Sequence, residues 1–192
     1  ERDTCKGECG LDGHGVWDAT TELATICRWW TTDTPGANIG ARLPDPLFVL
    51  DSDPRKPGHA EAAARLRDKH GPLPHTLTTL SGRLDGGEHR FYLRPPGKLS
   101  TAKLGPGYDI KTSSGYVVLP PSIHPETGKR YIEVDAPIVA PPGWLTDLIV
   151  VKPAQPLTVS HRFFTGSAGT YRGDSVADWF TDTHSWAAVL IP

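Results

Sequence analysis

The clearest hydrophobic run in the chain is Leu47-Phe48-Val49-Leu50, four unbroken apolar positions that end on Asp51-Ser52-Asp53 and are stopped by Pro54. A short apolar run bounded by turn residues predicts a buried strand. Elsewhere the apolar positions recur in short stretches between Gly/Pro turns. His75–Leu80, His89–Leu93, Tyr108–Lys111, Tyr116–Leu119 and Arg130–Val134 are strand candidates, and Asn38–Ala41 is a shorter one. Helical spacing is rarer. Thr20 or Thr21 can cap a helix that runs to about Trp30, with Leu23, Ile26, Cys27 and Trp30 on one face, so Cys27 is expected as a packed core thiol. His59–His70 is Ala-rich and charged and stops at Gly71, a helix with its C-cap. Trp144–Val150 predicts a short helix. Residues 152–174 are a polar linker, and Ser175–Leu190 is expected to be a final helix with Val176, Trp179, Phe180, Trp186 and Leu190 as apolar contacts. Strands and helices interleave without an internal repeat, so the class is α+β or α/β.

Composition narrows the partners. The 192 residues suffice for one large domain or two small ones sharing a core, and 20 Gly with 19 Pro favour turns and short strands. No apolar run is long enough to span a membrane and no secretory signal is present, so a cytoplasmic setting is expected. Three cysteines (Cys5, Cys9, Cys27) make no disulfide framework, which fits a reducing compartment. The chain contains no Met, so it is expected to be an excised or processed piece. Net charge is −2, which excludes a global basic footprint for nucleic acid. A local one exists. Residues 81–111 carry Arg83, Arg90, Arg94, Lys98, Lys103 and Lys111 against Asp85, Glu88 and Asp109.

The candidate chemistry lies between residues 38 and 124. Side chains two apart on a strand share a face, so Asp51 and Asp53 can address one point. Two carboxylates side by side repel unless a cation joins them, which makes a divalent-metal site and phosphoryl or nucleotidyl transfer the first hypothesis. Asp-x-Asp also occurs in plain turns. Ser81-Gly82-Arg83 and Gly86-Gly87 flank a tight loop into Glu88-His89-Arg90-Phe91-Tyr92. His89, Phe91 and Leu93 share one face of that strand. His89 is either a core histidine with a satisfied hydrogen bond or a phosphate contact beside the metal. Asp109 sits between bulky neighbours and would complete a three-carboxylate site. The Ser113–Gly115 turn and Ser122 offer small donors, whose ordinary role is turn chemistry.

These motifs come in an order. Asn38-Ile39-Gly40 is followed by Asp51-x-Asp53, then Ser81-Gly82 with Gly87-x-His89-x-Phe91-Tyr92, then Asp109-Ile110-Lys111, then Gly115-Tyr116-Val117-Val118-Leu119-Pro120-Pro121-Ser122. Trp17-Asp18-Ala19-Thr20-Thr21 with Trp29-Trp30, and Pro141-Pro142-Gly143-Trp144-Leu145, flank them. In this order the chain resembles, over about residues 14–146, the bifunctional DNA primase/polymerase (prim-pol) domain of the archaeo-eukaryotic primase superfamily, in the form found in actinobacterial phages, prophages and plasmids.

The resemblance implies a catalytic domain over residues 1–150, with an RNA-recognition-motif-like sheet packed on a second small α/β unit and the active site in the cleft between them. Residues 151–192 would be a linker and helical segment leading to a further region. It implies that Asp51, Asp53 and Asp109 bind two Mg²⁺ or Mn²⁺ ions and that His89 holds the triphosphate of the incoming nucleotide, with Lys111, Ser114 and Ser122 as further phosphate contacts. The implied partners are a single-stranded DNA template and NTP or dNTP, with a helicase domain in the same full-length protein. The implied activity is primase and DNA polymerase in phage or plasmid replication. The chain departs from the family at its start. Cys5, Cys9 and His14 supply at most three ligands where structural zinc takes four, so the expectation is no stoichiometric zinc. Two other classes fit the same carboxylates or surface: a different two-metal phosphotransferase or nuclease, and a noncatalytic single-stranded DNA-binding module. Loss of a carboxylate would mark the latter, and none is lost.

Overall fold

A computed structural model describes residues 6, 9, 14–83, 85–151 and 187–191. The run at 47–50 is buried at all four positions and forms most of β2 (Leu47–Ser52). It is apolar throughout because both of its faces are covered. On each side β2 pairs antiparallel, with β4 (Glu88–Leu93) and with β5 (Tyr108–Lys111). Beyond β4 lie β3 (Thr78–Leu80) and β7 (Ile132–Val134), so the larger sheet has five strands in the order β5-β2-β4-β3-β7. A smaller sheet, β6-β1-β8, is built from β6 (Tyr116–Leu119), β1 (Asn38–Arg42) and β8 (Ala187–Ile191), again antiparallel.

Two cores follow from the alternation along β2 and β4. Leu47, Val49 and Phe91 face the smaller sheet and pack with Ala41, Leu43, Val117, Leu119, Leu77 and Ile138. Phe48, Leu50 and Tyr92 face the other way and pack against Leu66 of α2 (His59–His70) and Leu145 and Ile149 of α3 (Gly143–Ile149). The described residues thus form a mixed α/β structure with antiparallel sheets, as the α+β expectation required. Helix α2 ends at Gly71, the C-cap read from the sequence, where φ is +81°.

Three expectations change. The first helix is short: α1 spans Leu23–Arg28, and a π-helical turn follows over Trp29–Asp33. Its cap is Glu22, whose carboxylate accepts from the Ala24 and Thr25 N–H groups, rather than Thr20 or Thr21. Cys27 is exposed and Leu23 is 71% exposed, whereas Trp29 is buried. The widened turn brings the chain down on Trp29, so the expected apolar face of α1 is not the one that packs. The third change is at the C-terminal end. Most of the helix expected over 175–190, and the linker at 152–174, lie outside the described residues. Residues 187–191 are a strand, and they extend the smaller sheet beside β1 with Asn38 opposite Ile191. Val189, Leu190 and Ile191 are residues that suit a strand, and an open edge of β1 supplies the backbone partners.

Candidate active site

Strand register assembles the site. Asp51 lies directly opposite His89 on one side and Asp109 on the other. His89 in turn lies opposite Thr79, and Thr79 opposite Glu133. Residues opposite one another on adjacent strands project to one face. Asp109, Asp51, His89, Thr79 and Glu133 therefore form one row across all five strands. The row is on the face toward the smaller sheet, one same-face step beyond the packed pair Val49 and Phe91. Three of the four residues that carry the proposed chemistry sit in it.

The charges in the row are matched by cations of the chain itself. His89 Nε2 is 3.6 Å from Asp51 Oδ1. Lys111 Nζ is 3.8 Å from Asp51 Oδ2 and also pairs with Asp109 Oδ2. Burial raises the Asp109 carboxyl, but the Lys111 ammonium and the Ile110 N–H outweigh it and hold it below the usual carboxylate range. His89 is lowered as well, for a different reason. Burial holds its imidazole below the ordinary histidine value, Lys111 and Arg83 add to that, and Asp51 and the Val118 backbone work against it. His89 thus faces the backbone of β6, where the two sheets meet.

Asp53 follows one step past the end of β2. Its N–H donates to the Gly107 carbonyl at 2.8 Å, which continues the strand's line. Gly107 has φ +79°, and a Cβ there would lie 2.7 Å from the Asp53 carbonyl, so only glycine allows this approach. The Asp53 carboxylate does not join Asp51 and Asp109. Its Oδ1 accepts from Arg83 Nη2 at 3.1 Å and from the Arg55 N–H at 3.2 Å. Burial raises this carboxyl, and the Arg55 N–H with the two guanidinium groups lowers it further than that, to below its ordinary value. Arg55 is also tied to Glu126 at 3.1 Å. Among the described residues, no three His, Cys, Asp or Glu side chains stand together as a ready metal site. The sequence places three carboxylates around one end of β2, and the fold divides them between Lys111 and the two arginines.

Six buried side-chain polar atoms lack a hydrogen-bond partner among the described residues, and four of them are here: Thr79 Oγ1, Ser81 Oγ, Arg83 Nε and His89 Nδ1. An unpaired buried polar atom costs about 1–3 kcal/mol. Such a cluster, at the end of a row of charged groups, is what a polar ligand would complete.

The remaining site candidates separate clearly. Lys111 is in the site, as the partner of Asp51 and Asp109. Ser114 is exposed in the β5–β6 turn, with its hydroxyl 3.1 Å from that of Thr112. Ser122 is buried, and its Oγ accepts from the Ile39 N–H at 2.8 Å, which ties the loop after β6 to β1. Cys9 Sγ lies 3.3 Å from His14 Nε2, and His14 Nδ1 is 3.1 Å from Asp18, while Cys5 lies outside the described residues. Sequence reasoning missed Thr79, Arg55 and Tyr131, and saw Arg83 only as part of a basic stretch. Tyr131, raised chiefly by burial, lies within the field of Asp51, Arg83 and Arg55. No local pattern marks it; only the folding of the 120–131 loop over Gly82 brings it in. Thr79 could have been found from alternation, had the pairing of β3 with β4 been known.

Comparison with known proteins agrees with the order of motifs. The family model for the bifunctional DNA primase/polymerase N-terminal domain matches residues 6–145. No curated protein and no solved structure matches the chain. The chain belongs to the bifunctional DNA primase/polymerase family.

Proposed function

We propose that this member of the primase/polymerase family catalyses template-directed nucleotidyl transfer with two divalent metal ions, in the replication of phage or plasmid DNA. The observation that carries the proposal is the register row, Asp109–Asp51–His89, with unpaired donors beside it. In this reading the five-stranded sheet is the catalytic sheet, and the smaller sheet is part of the second unit across the cleft.

Asp51, Asp53 and Asp109 would hold Mg²⁺ or Mn²⁺. The donor set fits: all three are hard oxygen ligands, and each already meets a cation of the chain, the ammonium of Lys111 or the guanidinium groups of Arg83 and Arg55. Bound metal would lower the pKa of the primer 3′-hydroxyl and neutralise the triphosphate and the departing pyrophosphate. The chain does the rest. His89 can donate a hydrogen bond to a phosphate oxygen from beside Asp51. The hydroxyls of Thr79 and Ser81 are available as further donors, and Lys111 remains beside the carboxylates as a counter-charge. Template binding falls to the basic surface of residues 81–111.

The test is a primer-free single-stranded DNA template offered NTP or dNTP with Mg²⁺, Mn²⁺ or EDTA, with products resolved on a gel. Metal-dependent products are expected, lengthened further when a primer is supplied. Intact single-strand binding with no product under any metal would favour the noncatalytic module instead. Cleavage of the template without incorporation would favour a two-metal nuclease.

A further inference from the structure

We infer that Arg83 is a phosphate-binding residue which the metal-free protein holds on Asp53, and which exchanges that carboxylate for the triphosphate of the nucleotide when divalent metal binds. The inference rests on the nucleotidyl-transfer reading of the same site.

A guanidinium carries five donor N–H bonds. The side chain of Arg83 is 12% exposed, yet its one hydrogen bond among the described residues is to Asp53 Oδ1, at 3.1 Å. Its Nε lies 3.3 Å from Asp85 Oδ1 without hydrogen-bond geometry. Arg90, on the other face of β4, shows what a structural arginine does. It grips both oxygens of Glu88, at 2.7 and 3.2 Å, and reaches the Pro74 carbonyl with its third nitrogen. Arg83 is left with donors to give.

What surrounds those donors points to an anion with several oxygens. The Ser81 and Thr79 hydroxyls are buried and without a partner among the described residues, and the His89 ring stands in the same row as Thr79. Gly87 provides the space, since a Cβ there would collide with the Arg83 guanidinium and the Ser81 hydroxyl. The charge of Arg83 reaches both His89 and Tyr131. A planar fork beside two hydroxyls and an imidazole matches phosphate oxygens better than it matches a base or a sugar.

The exchange follows from competition for one carboxylate. Asp53 cannot serve a metal ion fully while Arg83 and Arg55 hold it. Metal alone must break the Arg83–Asp53 hydrogen bond and leave a mostly buried guanidinium with only the Asp85 ion pair, so it binds weakly. A triphosphate arriving with the metal gives that guanidinium a new partner, so metal and nucleotide strengthen each other's binding. Arg55 is half exposed and retains Glu126 and Asp85, so it can release Asp53 without being stranded.

The decisive variant is Arg83→Gln, which removes the charge and keeps most of the length. Mn²⁺ binding without nucleotide, read by titration of the free-ion paramagnetic signal, should tighten about threefold to tenfold. The KM for nucleotide should rise about tenfold or more with kcat changed far less, as expected when a charged phosphate contact is lost. A purely structural arginine would weaken both. Arg83→Lys keeps the charge without the fork. It should retain weak Mn²⁺ binding and still lose nucleotide affinity, and it reads the same proposal should the Gln variant not fold. Unchanged or weaker Mn²⁺ binding by Arg83→Gln, or an unchanged KM, overturns the assignment. Wild type that incorporates no nucleotide with any metal fails the underlying reading, whatever the variants do.

Discussion

The two faces of the five-stranded sheet are one residue apart along every strand, and they treat charged groups in opposite ways. On the helix-covered face, Leu50 is 2% exposed within an apolar cluster, and the charges that do occur there, Arg90 and Glu88, are closed on each other. A cavity of about 260 Å³ on this face is lined by Leu50, Leu66, Tyr108, Trp144 and Arg90, among others. On the opposite face, Asp51, His89 and Asp109 stand in a row, Asp51 only loosely met by His89 and Lys111 while Lys111 closes on Asp109, with four atoms there that have no hydrogen-bond partner among the described residues. Leaving polar groups unpaired in a buried place lowers stability, so the second face has kept something other than stability. The first face closes its charges on each other, and the second leaves donors that the proposed nucleotide would complete.

The sharpest way to break this comparison is to substitute neighbours on the two faces. Asp51→Ala should abolish nucleotidyl transfer, a loss of about 10³-fold or more. It should leave the melting temperature in EDTA near that of wild type, because removing one of two facing carboxylates also removes repulsion. Undiminished primer extension would sink the role of the row. Leu50→Ala, one residue away, should do the reverse. It should lower stability to urea by about 2–5 kcal/mol, with activity per folded molecule retained.

His89→Ala comes next. The KM for nucleotide should rise about tenfold to a hundredfold, with template binding and the urea midpoint nearly intact. If the variant unfolds instead, His89 is a core residue after all. On the helix-covered face, burial pushes the Tyr92 hydroxyl from 10.0 up to about 12. The unfolded chain ionises this group first. Stability from Tyr92 is therefore complete below pH 10 and falls as pH rises to 12, by up to about 1.4 kcal/mol per pH unit. Tyr92→Phe should flatten that alkaline limb in a pH series of urea melts and leave neutral-pH stability unchanged or higher; an unaltered limb would assign the dependence to other groups. The smallest effect is expected at Ser122. Ser122→Ala should lower stability by about 1 kcal/mol by removing the acceptor for the Ile39 N–H, and leave the KM for nucleotide unchanged. A raised KM would return Ser122 to the phosphate site.

Much of this molecule was determined by sequence alone, and for a physical reason in each case. The unbroken apolar run at 47–50 had to be a strand covered on both faces, and it is β2, at the junction of both cores. Alternation along residues 89–93 correctly assigned His89, Phe91 and Leu93 to one face. The Ala-rich stretch ending at Gly71 needed only local backbone preference to become α2. The order of short motifs identified the family, because each motif carries residues whose chemistry depends on type and spacing. Tertiary structure decided what no local pattern encodes. Pairing register made Asp109, Asp51 and His89 one row, and register is a relation between segments far apart in the chain. The same holds for Asp53. Its spacing from Asp51 suggested a shared metal, but strand β2 ends at Ser52 and the carboxylate turns to Arg83, thirty residues along the chain. Thr79, Arg55 and Tyr131 entered the site the same way. Only the fold decided which side chains meet and which buried donors go unpaired, because both are set by how distant segments pack.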